Sequence, residues 1–454
     1  MTVSEIVKAQ NEFFKNGYTR DIKFRKAALH LLYNSIKNNE DGIYEALRLD
    51  LNKSKSESYL CEIGLVLEEI RYQMKNIGKW SRPRRVKTPL AHFASKSFTS
   101  PEPYGTVLIM SPWNYPLQLC LSPLAGAIGA GNTVVIKPSA YAPKTSKIIK
   151  KIIEDAFTED YIAVVEGGRA ENAALLDEKF DYIFFTGSVS VGKLVMERAA
   201  RHLTPVSLEL GGKSPVIVDE TANIPLAARR IAFGKTLNAG QTCVAPDYLF
   251  IHKSVKEEFV QCYKNALSEF FPSGDYSDYP HIINEKHYNR LVALMEGERA
   301  VVGGECNAEK RQILPTLLDN ITYESKIMGE EIFGPVLPML EYESLDECVE
   351  YITSHPKPLA LYLFTTNRGV EKKILDSCSF GGGCINDTII HRATTEMGFG
   401  GVGESGMGAY HGKASFDSFS HYRSIVKKHL FPDLKMRYRP YSDKKDTLIK
   451  MFLK

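Results

Sequence analysis

One cysteine stands apart by its setting. Cys243 sits in the run Asn238-Ala239-Gly240-Gln241-Thr242-Cys243-Val244-Ala245-Pro246, between an amphipathic helical pattern (Ile224 to Leu237) and a strand-like run (Tyr248 to His252). A cysteine is an inert small hydrophobe or a nucleophile according to its surroundings. Gly240 lets another backbone come close, and the helix end presents the residues after it on a loop, where reactive groups collect. Two other residues are of types that work beside a thiol. Glu209, in Leu208-Glu209-Leu210-Gly211-Gly212-Lys213, ends an apolar strand. It is either a buried structural acid or a general base whose pKa burial raises towards the range useful for taking a proton from water. Asn114, in Pro112-Trp113-Asn114-Tyr115-Pro116, has its backbone fixed by the flanking prolines. Its amide either caps a turn or donates to a developing oxyanion. A fourth stretch, Phe185-Thr186-Gly187-Ser188 through Gly192-Lys193-Leu194, comes after an apolar strand and opens a helix. In that setting backbone N–H groups hold a phosphate. It nearly matches the P-loop, GxxxxGK followed by Ser or Thr, but Leu194 removes the hydroxyl that binds Mg²⁺. A pyrophosphate held without magnesium, as in a dinucleotide, fits better.

The elements that position these groups read as α/β. The first 80 or so residues are helical in pattern, with apolar positions at three- and four-residue spacing in Ile22 to Ile36 and Ile63 to Met74. From Tyr104 short apolar runs alternate with helical segments. Strands are expected at Gly105–Met110, Thr133–Ile136, Tyr161–Val165, Tyr182–Phe185, Val206–Leu208 and Pro215–Val218. Helices are expected at Lys144–Phe157, Ala170–Asp177 and Val191–Arg201. Continuous apolar strands alternating with helices predict a parallel sheet covered on both faces, with ligands at the carboxyl ends of its strands. A second alternation comes next: strand Tyr248–His252, helix Val255–Phe270, strand Val336–Leu340, helix Leu345–Thr353 and strand Ala360–Thr365. The basic run Lys79 to Lys87, broken by Pro83, reads as a solvated linker. The glycine-dense stretch Gly398 to Gly408 is expected to be irregular and to let the backbone pass close to another element or a ligand.

Composition excludes several classes. The chain has 454 residues, 44% apolar and 24% charged, with a net charge of +3, and suits a soluble protein of two or three domains. Near-balanced charge gives no pointer to nucleic acid or a membrane surface. No apolar run approaches the roughly 20 residues of a bilayer span, and the interleaved charges Glu5, Lys8, Glu12 and Lys15 leave no signal-peptide core. A cytoplasmic location is the default, in which the eight cysteines are reduced thiols. No CxxC pair or HExxH occurs, so no metal is expected.

Taken together, these segments resemble the aldehyde dehydrogenase superfamily over nearly the whole chain. The motifs are Pro112-Trp113-Asn114, Gly131-Asn132-Thr133 through Lys137-Pro138-Ser139, Phe185 to Ser188, Glu209 to Lys213, Gly240 to Cys243, and Glu331-Ile332-Phe333-Gly334-Pro335. The stretch Phe399 to Gly408 with Tyr410-His411-Gly412-Lys413, and the ending Tyr441 to Lys445, are similar to the class 3 branch. The resemblance implies two doubly wound α/β domains with a small bridging and oligomerisation arm. Residues 1–86 and 105–208 would bind the dinucleotide, 209–396 would form the catalytic domain, and 87–104 and 397–454 would bridge. It implies NAD(P)-dependent oxidation of aldehydes to carboxylic acids. Cys243 would be the nucleophile, Asn114 the oxyanion donor and Glu209 the base that hydrolyses a thioester. NAD or NADP would be held by Trp113, Lys137, Ser139, Gly187, Ser188, Gly192, Leu210, Gly211, Glu331 and Phe333. The family departs from the GxGxxG fingerprint, which fits its absence here. Tyr115, Gln118, Leu119 and Thr242, with Leu60, would line the mouth of the aldehyde pocket, an apolar lining that favours medium- or long-chain aliphatic or aromatic aldehydes. A homodimer is implied as well. Class 3 members commonly carry a Glu just after Lys-Pro-Ser that binds the adenosine ribose; here that position is Ala140, which removes a carboxylate that would repel the 2′-phosphate of NADP. Two rivals remain: an acylating enzyme passing the acyl group to coenzyme A or phosphate, against which Glu209 argues, and a catalytically silent structural or binding homologue.

Overall fold

The structure, a computed structural model, describes residues 1–453. Three sheets organise it. The first has six strands in the order β17-β7-β6-β3-β4-β5: β3 (Thr106–Met110), β4 (Thr133–Lys137), β5 (Ile162–Val164), β6 (Tyr182–Thr186), β7 (Val206–Glu209) and β17 (Gly406–Met407). β3 to β7 run parallel. Every residue of β3, β4 and β6 is buried, as a sheet covered on both faces requires. The chain winds outward from β3 through β4 to β5, then returns to the other side of β3 for β6 and β7. The crevice beyond the carboxyl ends of β3 and β6 is therefore the topological switch point. Helices Val3–Lys15, Ile22–Asn38, Gly64–Trp80 and Gln118–Ala130 pack on this sheet and on one another. Gln10, fully buried, donates from Nε2 to the carbonyls of Val134 (2.8 Å) and Glu159 (3.1 Å), pinning the first helix to β4.

The second sheet has seven strands in the order β10-β13-β14-β9-β8-β15-β16: β8 (Pro215–Val218), β9 (Tyr248–His252), β10 (Arg299–Val302), β13 (Thr316–Asp319), β14 (Val336–Tyr342), β15 (Ala360–Phe364) and β16 (Gly382–Ile385). It is parallel except at β10. A two-stranded hairpin of β11 (Cys306–Asn307) and β12 (Gln312–Ile313) stands apart from it. The third sheet, β1-β2-β18, is antiparallel and built from β1 (Arg84–Val86), β2 (Ser95–Pro103) and β18 (Ser420–Lys428). Among the described residues no helix is long and apolar enough to cross a membrane, and no group of three or more His, Cys, Asp or Glu is placed to hold a metal ion.

Two segments differ from their sequence reading. The basic run expected to be a linker contains β1, whose residues are exposed yet hydrogen-bonded in register with β2. Its side chains are solvated while its backbone is not free. The glycine-dense stretch supplies β17, whose Gly406 pairs with Glu209 and Met407 with Leu208. Gly406 has φ 145° and ψ −172°, a region essentially reserved for glycine. A Cβ there would stand 2.1 Å from the Leu208 carbonyl oxygen. Gly406→Ala is thus expected to cost about 1–3 kcal/mol of stability, seen as a lower thermal unfolding midpoint. A midpoint equal to that of the parent chain would show that β17 does not hold the end of β7.

Candidate active site

The Cys243 turn is held from several sides. The helix Ile224–Thr236 runs into the turn Leu237–Gly240, in which Asn238 (φ 50°) and Ala239 (φ 51°) are left-handed. Non-glycine residues pay conformational energy for this geometry and keep it only where the surroundings impose it. The Asn238 N–H donates to Glu57 Oε1 (2.6 Å). Its side-chain Nδ2 donates to the carbonyls of Asn114 (2.8 Å) and Gln241 (3.1 Å). Gln241 Nε2 donates to the carbonyls of Asn238 (3.0 Å) and His281 (3.1 Å), and its Oε1 accepts from the Ile283 N–H (3.0 Å). Gly240, at φ 68°, lies so near Gly334 that a Cβ would be 2.2 Å from the Gly334 carbonyl oxygen. Cys243 itself is partly exposed. Burial pushes its thiol up to about 11; Arg392 pulls the other way, while Glu331 and Glu209 add to the rise.

Asn114 is buried and donates from Nδ2 to the Gln241 carbonyl (3.1 Å), two residues before Cys243, while its Oδ1 has no partner. Its backbone carbonyl accepts from Asn238 and from Lys53 Nζ (2.8 Å). Lys53 forms a fully buried ion pair with Glu62 (2.6 Å). The other carboxylate oxygen of Glu62 accepts from the N–H groups of Leu117 (2.8 Å) and Gln118 (3.3 Å). Glu62 lies in a π-helical turn, Tyr59–Ile63, a local widening that often occurs at functional sites. Lys53, Glu57 and Glu62 escaped the sequence reading because the backbone groups they hold, at Asn114, Asn238, Leu117 and Gln118, are remote in the chain.

Glu209 ends β7, buried, with neither carboxylate oxygen hydrogen-bonded. Burial alone drives its pKa well above the usual carboxylate range. Glu331 is raised to about 8, by burial first and by Asp247 second, against the Gly212 N–H, Lys213 and Arg290. A Cβ on Gly211 would be 2.2 Å from a Glu331 carboxylate oxygen. Phe333, left-handed at φ 51°, sets its ring edge-on to Trp113 at 5.4 Å.

The remaining nucleotide-side residues gather around the switch point of the six-stranded sheet. Lys137, at the end of β4, donates to the carbonyls of Pro138 (2.8 Å) and Gly167 (2.7 Å). Burial lowers its pKa, while Glu171 and Glu166 oppose that. Ser139 Oγ accepts from the Tyr141 N–H (3.2 Å). Gly187 donates its N–H to the Glu209 carbonyl (3.0 Å). Ser188 is the N-cap of the helix Val189–Ala200 but makes no side-chain cap bond, so the first N–H groups of that helix keep their capacity for an anion. Gly192 packs against Leu210, to which a Cβ would come within 2.6 Å. Leu210 N–H donates to the Ser405 carbonyl (3.1 Å). Ser111 Oγ and Thr186 Oγ1, buried just beyond β3 and at the end of β6, have no partner. Orphaned hydroxyls beside an uncapped helix start suit the polar length of a dinucleotide, so the residues present fit NAD or NADP.

The proposed aldehyde-pocket residues are not at an open mouth. Tyr115, Gln118, Leu119 and Thr242 are all buried. The Tyr115 hydroxyl is 2.6 Å from Thr242 Oγ1, and Gln118 Oε1 accepts from Arg392 (2.6 Å). Packing turns these side chains inward, and the Tyr115–Thr242 contact joins them to the residue before Cys243. Leu60, by contrast, is 58% exposed. Arg392, buried and bonded to Gln118, was missed; no sequence signal set it apart from the neighbouring charges Asp387 and Glu396.

A thiol, an amide and an unpartnered carboxyl lie beside the carboxyl ends of a doubly wound sheet, the place where such folds bind nucleotides. The aldehyde dehydrogenase family model matches residues 1–425. Over 446 residues the chain is 49% identical to the 4,4'-diaponeurosporen-aldehyde dehydrogenase of Staphylococcus aureus, covering 97% of each protein. It is 43% identical over 443 residues to the dimeric NADP-preferring aldehyde dehydrogenase of Canis lupus familiaris, covering 96% of this chain and 98% of that one. The solved substrate-bound state of Staphylococcus aureus AldH superposes with a TM-score of 0.97 at 47% identity, covering 100% of both chains. The chain belongs to the aldehyde dehydrogenase family. It is an NAD(P)-dependent enzyme that oxidises aldehydes.

With a thiol at about 11, the reactive thiolate fraction at neutral pH is small and rises about tenfold per pH unit below that value. Alkylation of Cys243 in the cofactor-free enzyme, followed by peptide mass spectrometry, should therefore accelerate steadily from pH 7 to pH 9. A rate already flat by pH 8 would place the thiol far lower.

Proposed function

We propose that Cys243, Asn114 and Glu209 carry out this oxidation through a covalent intermediate, with the carboxylic acid as product. The observation that carries the reading is one of contrast. The Asn114 amide reaches into the Cys243 turn, while the Glu209 carboxyl is buried with no partner. The nicotinamide cofactor, when bound, supplies the two-electron acceptor. Lys137, Ser139 and Ser188, with Gly187 and the Gly192 face of the helix, would hold its ribose and pyrophosphate; Glu331 would hold the nicotinamide ribose, with Trp113, Leu210, Gly211 and Phe333 packed around it.

The Cys243 thiolate attacks the aldehyde carbon, and Asn114 Nδ2 with the Cys243 backbone N–H carries the charge that forms on oxygen. Once that carbon is oxidised, Cys243 holds a thioester. Glu209 takes a proton from water as the water attacks the thioester, and the acid leaves with the thiolate restored. Two moderate steps replace one difficult step. For Glu209 to act, water must reach its unpartnered oxygens and lower the pKa that burial raises.

Ala140 leaves the ribose without the carboxylate common in the class 3 branch, although Glu166 and Glu171 stand close enough to raise the Lys137 pKa. Glu171 accepts from the Gly168 N–H (2.6 Å) and Glu166 from Ser146 (2.9 Å), so one oxygen of each is already engaged. Both NAD and NADP are therefore accepted in this reading. A homodimer is supported by the exposed outer edge of β18, an unpaired strand edge being a template for a second chain, and by the dimeric relative. A cytoplasmic location agrees with eight cysteines all free.

Glu209→Gln should keep a burst of NADH formation yet lose steady turnover by about a hundredfold or more, because capture and oxidation precede the step that needs the base. Full turnover in that variant would refute hydrolysis through Glu209. Initial rates with the two cofactors should differ by less than about a hundredfold, a gap of about 2.7 kcal/mol; a larger gap against NADP would show that Glu166 or Glu171 takes the place of the missing acid.

A further inference from the structure

The loop that carries Glu331 is gripped mainly by its backbone. Three residues from three other elements reach it. Lys213, between β7 and β8, donates from Nζ to the carbonyls of Ile327 (3.2 Å) and Glu330 (2.8 Å) and to Asp247 Oδ2 (2.5 Å). These three bonds use every donor of the ammonium. Asp247, buried just before β9, accepts the Ile332 N–H at its other oxygen, Oδ1 (2.8 Å). Arg290, on the helix Glu285–Met295, donates to the carbonyls of Glu331 (3.1 Å) and Ile332 (2.5 Å) and to the Glu330 carboxylate (3.3 Å). Asp247 is anchored in turn. Its own N–H donates to the Ser214 carbonyl (2.9 Å), and buried Lys235 holds the Pro246 carbonyl before it (2.8 Å). Cys243 lies four residues earlier on the same segment.

This grip has two things to hold. Phe333 is left-handed at φ 51°, a conformation that a non-glycine residue keeps only where its surroundings impose it. The Glu331 carboxylate meets Gly211 so closely that a Cβ there would stand 2.2 Å away. That approach leaves the side chain little freedom of its own, and its place follows the backbone. A group that binds a ligand works only when its supports fix it to within a fraction of an ångström. We propose that Asp247 is a positioning residue for the nicotinamide half of the cofactor. Directly through the Ile332 N–H, and through Lys213 at Ile327 and Glu330, it fixes the backbone on both sides of Glu331 and so aims that carboxylate. The segment from Cys243 to Asp247 then sets the nucleophile and the ribose-binding acid in one frame. This rests on the reading in which Glu331 holds the nicotinamide ribose.

The test reads cofactor binding without turnover. Trp113 lies 5.4 Å from Phe333, and the other tryptophan, Trp80, packs elsewhere against Tyr72 and Phe416. Quenching of Trp113 fluorescence therefore reports NADH at this end of the site. Asp247→Ala should weaken NADH binding by at least about tenfold. Asp247→Asn keeps an acceptor for the Ile332 N–H but loses the charge beside Lys213, and should fall between Asp247→Ala and the parent. AMP, which carries the adenosine half alone, should bind the parent and both variants with the same affinity in calorimetry. If the Asp247→Ala chain does not fold, Asp247→Asn decides: its NADH affinity should drop by at least about threefold with AMP unchanged. NADH affinity unchanged in the variants, or NADH and AMP weakened in parallel, overturns the proposal. Glu331→Gln separates it from the reading beneath it. Weaker NADH binding in Glu331→Gln, with none in the Asp247 variants, removes the positioning role alone. NADH binding unchanged in Glu331→Gln removes the ribose assignment and this proposal with it.

Discussion

The carbonyl oxygen of Asn114 is the point on which the site hangs. It accepts from Lys53 Nζ and from Asn238 Nδ2. Through these two bonds the loop after β3 is tied both to the N-terminal helices and to the turn that carries Cys243. Lys53 belongs to a fully buried ion pair, and such a pair tolerates loss of one member poorly, because the other charge is left uncompensated. Its partner Glu62 also holds the N–H groups at the start of the helix Gln118–Ala130, where a carboxylate is favoured by the exposed helix donors. Three stretches far apart in sequence, 53–62, 114–118 and the turn at Asn238, thus share one polar knot. The position of the Asn114 amide relative to Cys243 is set by it.

The same knot explains how the turn at Asn238 and Ala239 can stay left-handed. Each such residue costs about 1–3 kcal/mol in an unsupported chain. Here Asn238 is bonded through its N–H to Glu57 and through its side chain to Asn114 and Gln241, and Gln241 is fixed in turn to the His281 and Ile283 backbone. Gly240 then admits Gly334 to a contact that any Cβ would forbid. That contact joins the Cys243 turn to the loop bearing Glu331 and Phe333. The proposed nucleophile and the proposed ribose-binding loop are consequently registered by backbone contact, which does not depend on flexible side chains.

The features legible in the sequence were local. Strands Pro215–Val218 and Tyr248–His252 coincide with their expected limits, because each is a short apolar run, its residues buried apart from the terminal His252, and bounded by turn residues. Cys243, Glu209 and Asn114 were each ambiguous alone, and the resemblance grouped them. The features the sequence withheld are long-range. Lys53 and Asn114 are 61 residues apart, Glu57 and Asn238 are 181, and Gln118 and Arg392 are 274. No periodicity encodes such pairs. The π-turn at Tyr59–Ile63 was hidden for another reason: helical apolar spacing continues on both sides of it. The inward packing of Tyr115, Gln118 and Leu119 was hidden too, since spacing places them on one face without saying which way that face points.

The electrostatic balance of the site has its origin in the same burial. The Cys243 thiol and the Glu209 carboxyl are both driven towards their neutral forms by desolvation, while Glu331 titrates close to neutral pH, at about 8. A pocket that discourages negative charge makes a poor resting home for a thiolate or a carboxylate. It is well suited to donors aimed where charge appears during reaction, because those donors act in a medium of low dielectric. The orphaned atoms of Asn114, Glu209, Ser111 and Thr186 are costs borne by the protein on its own. In the proposed reaction, water or cofactor would supply the missing partner, and that difference would favour the bound state.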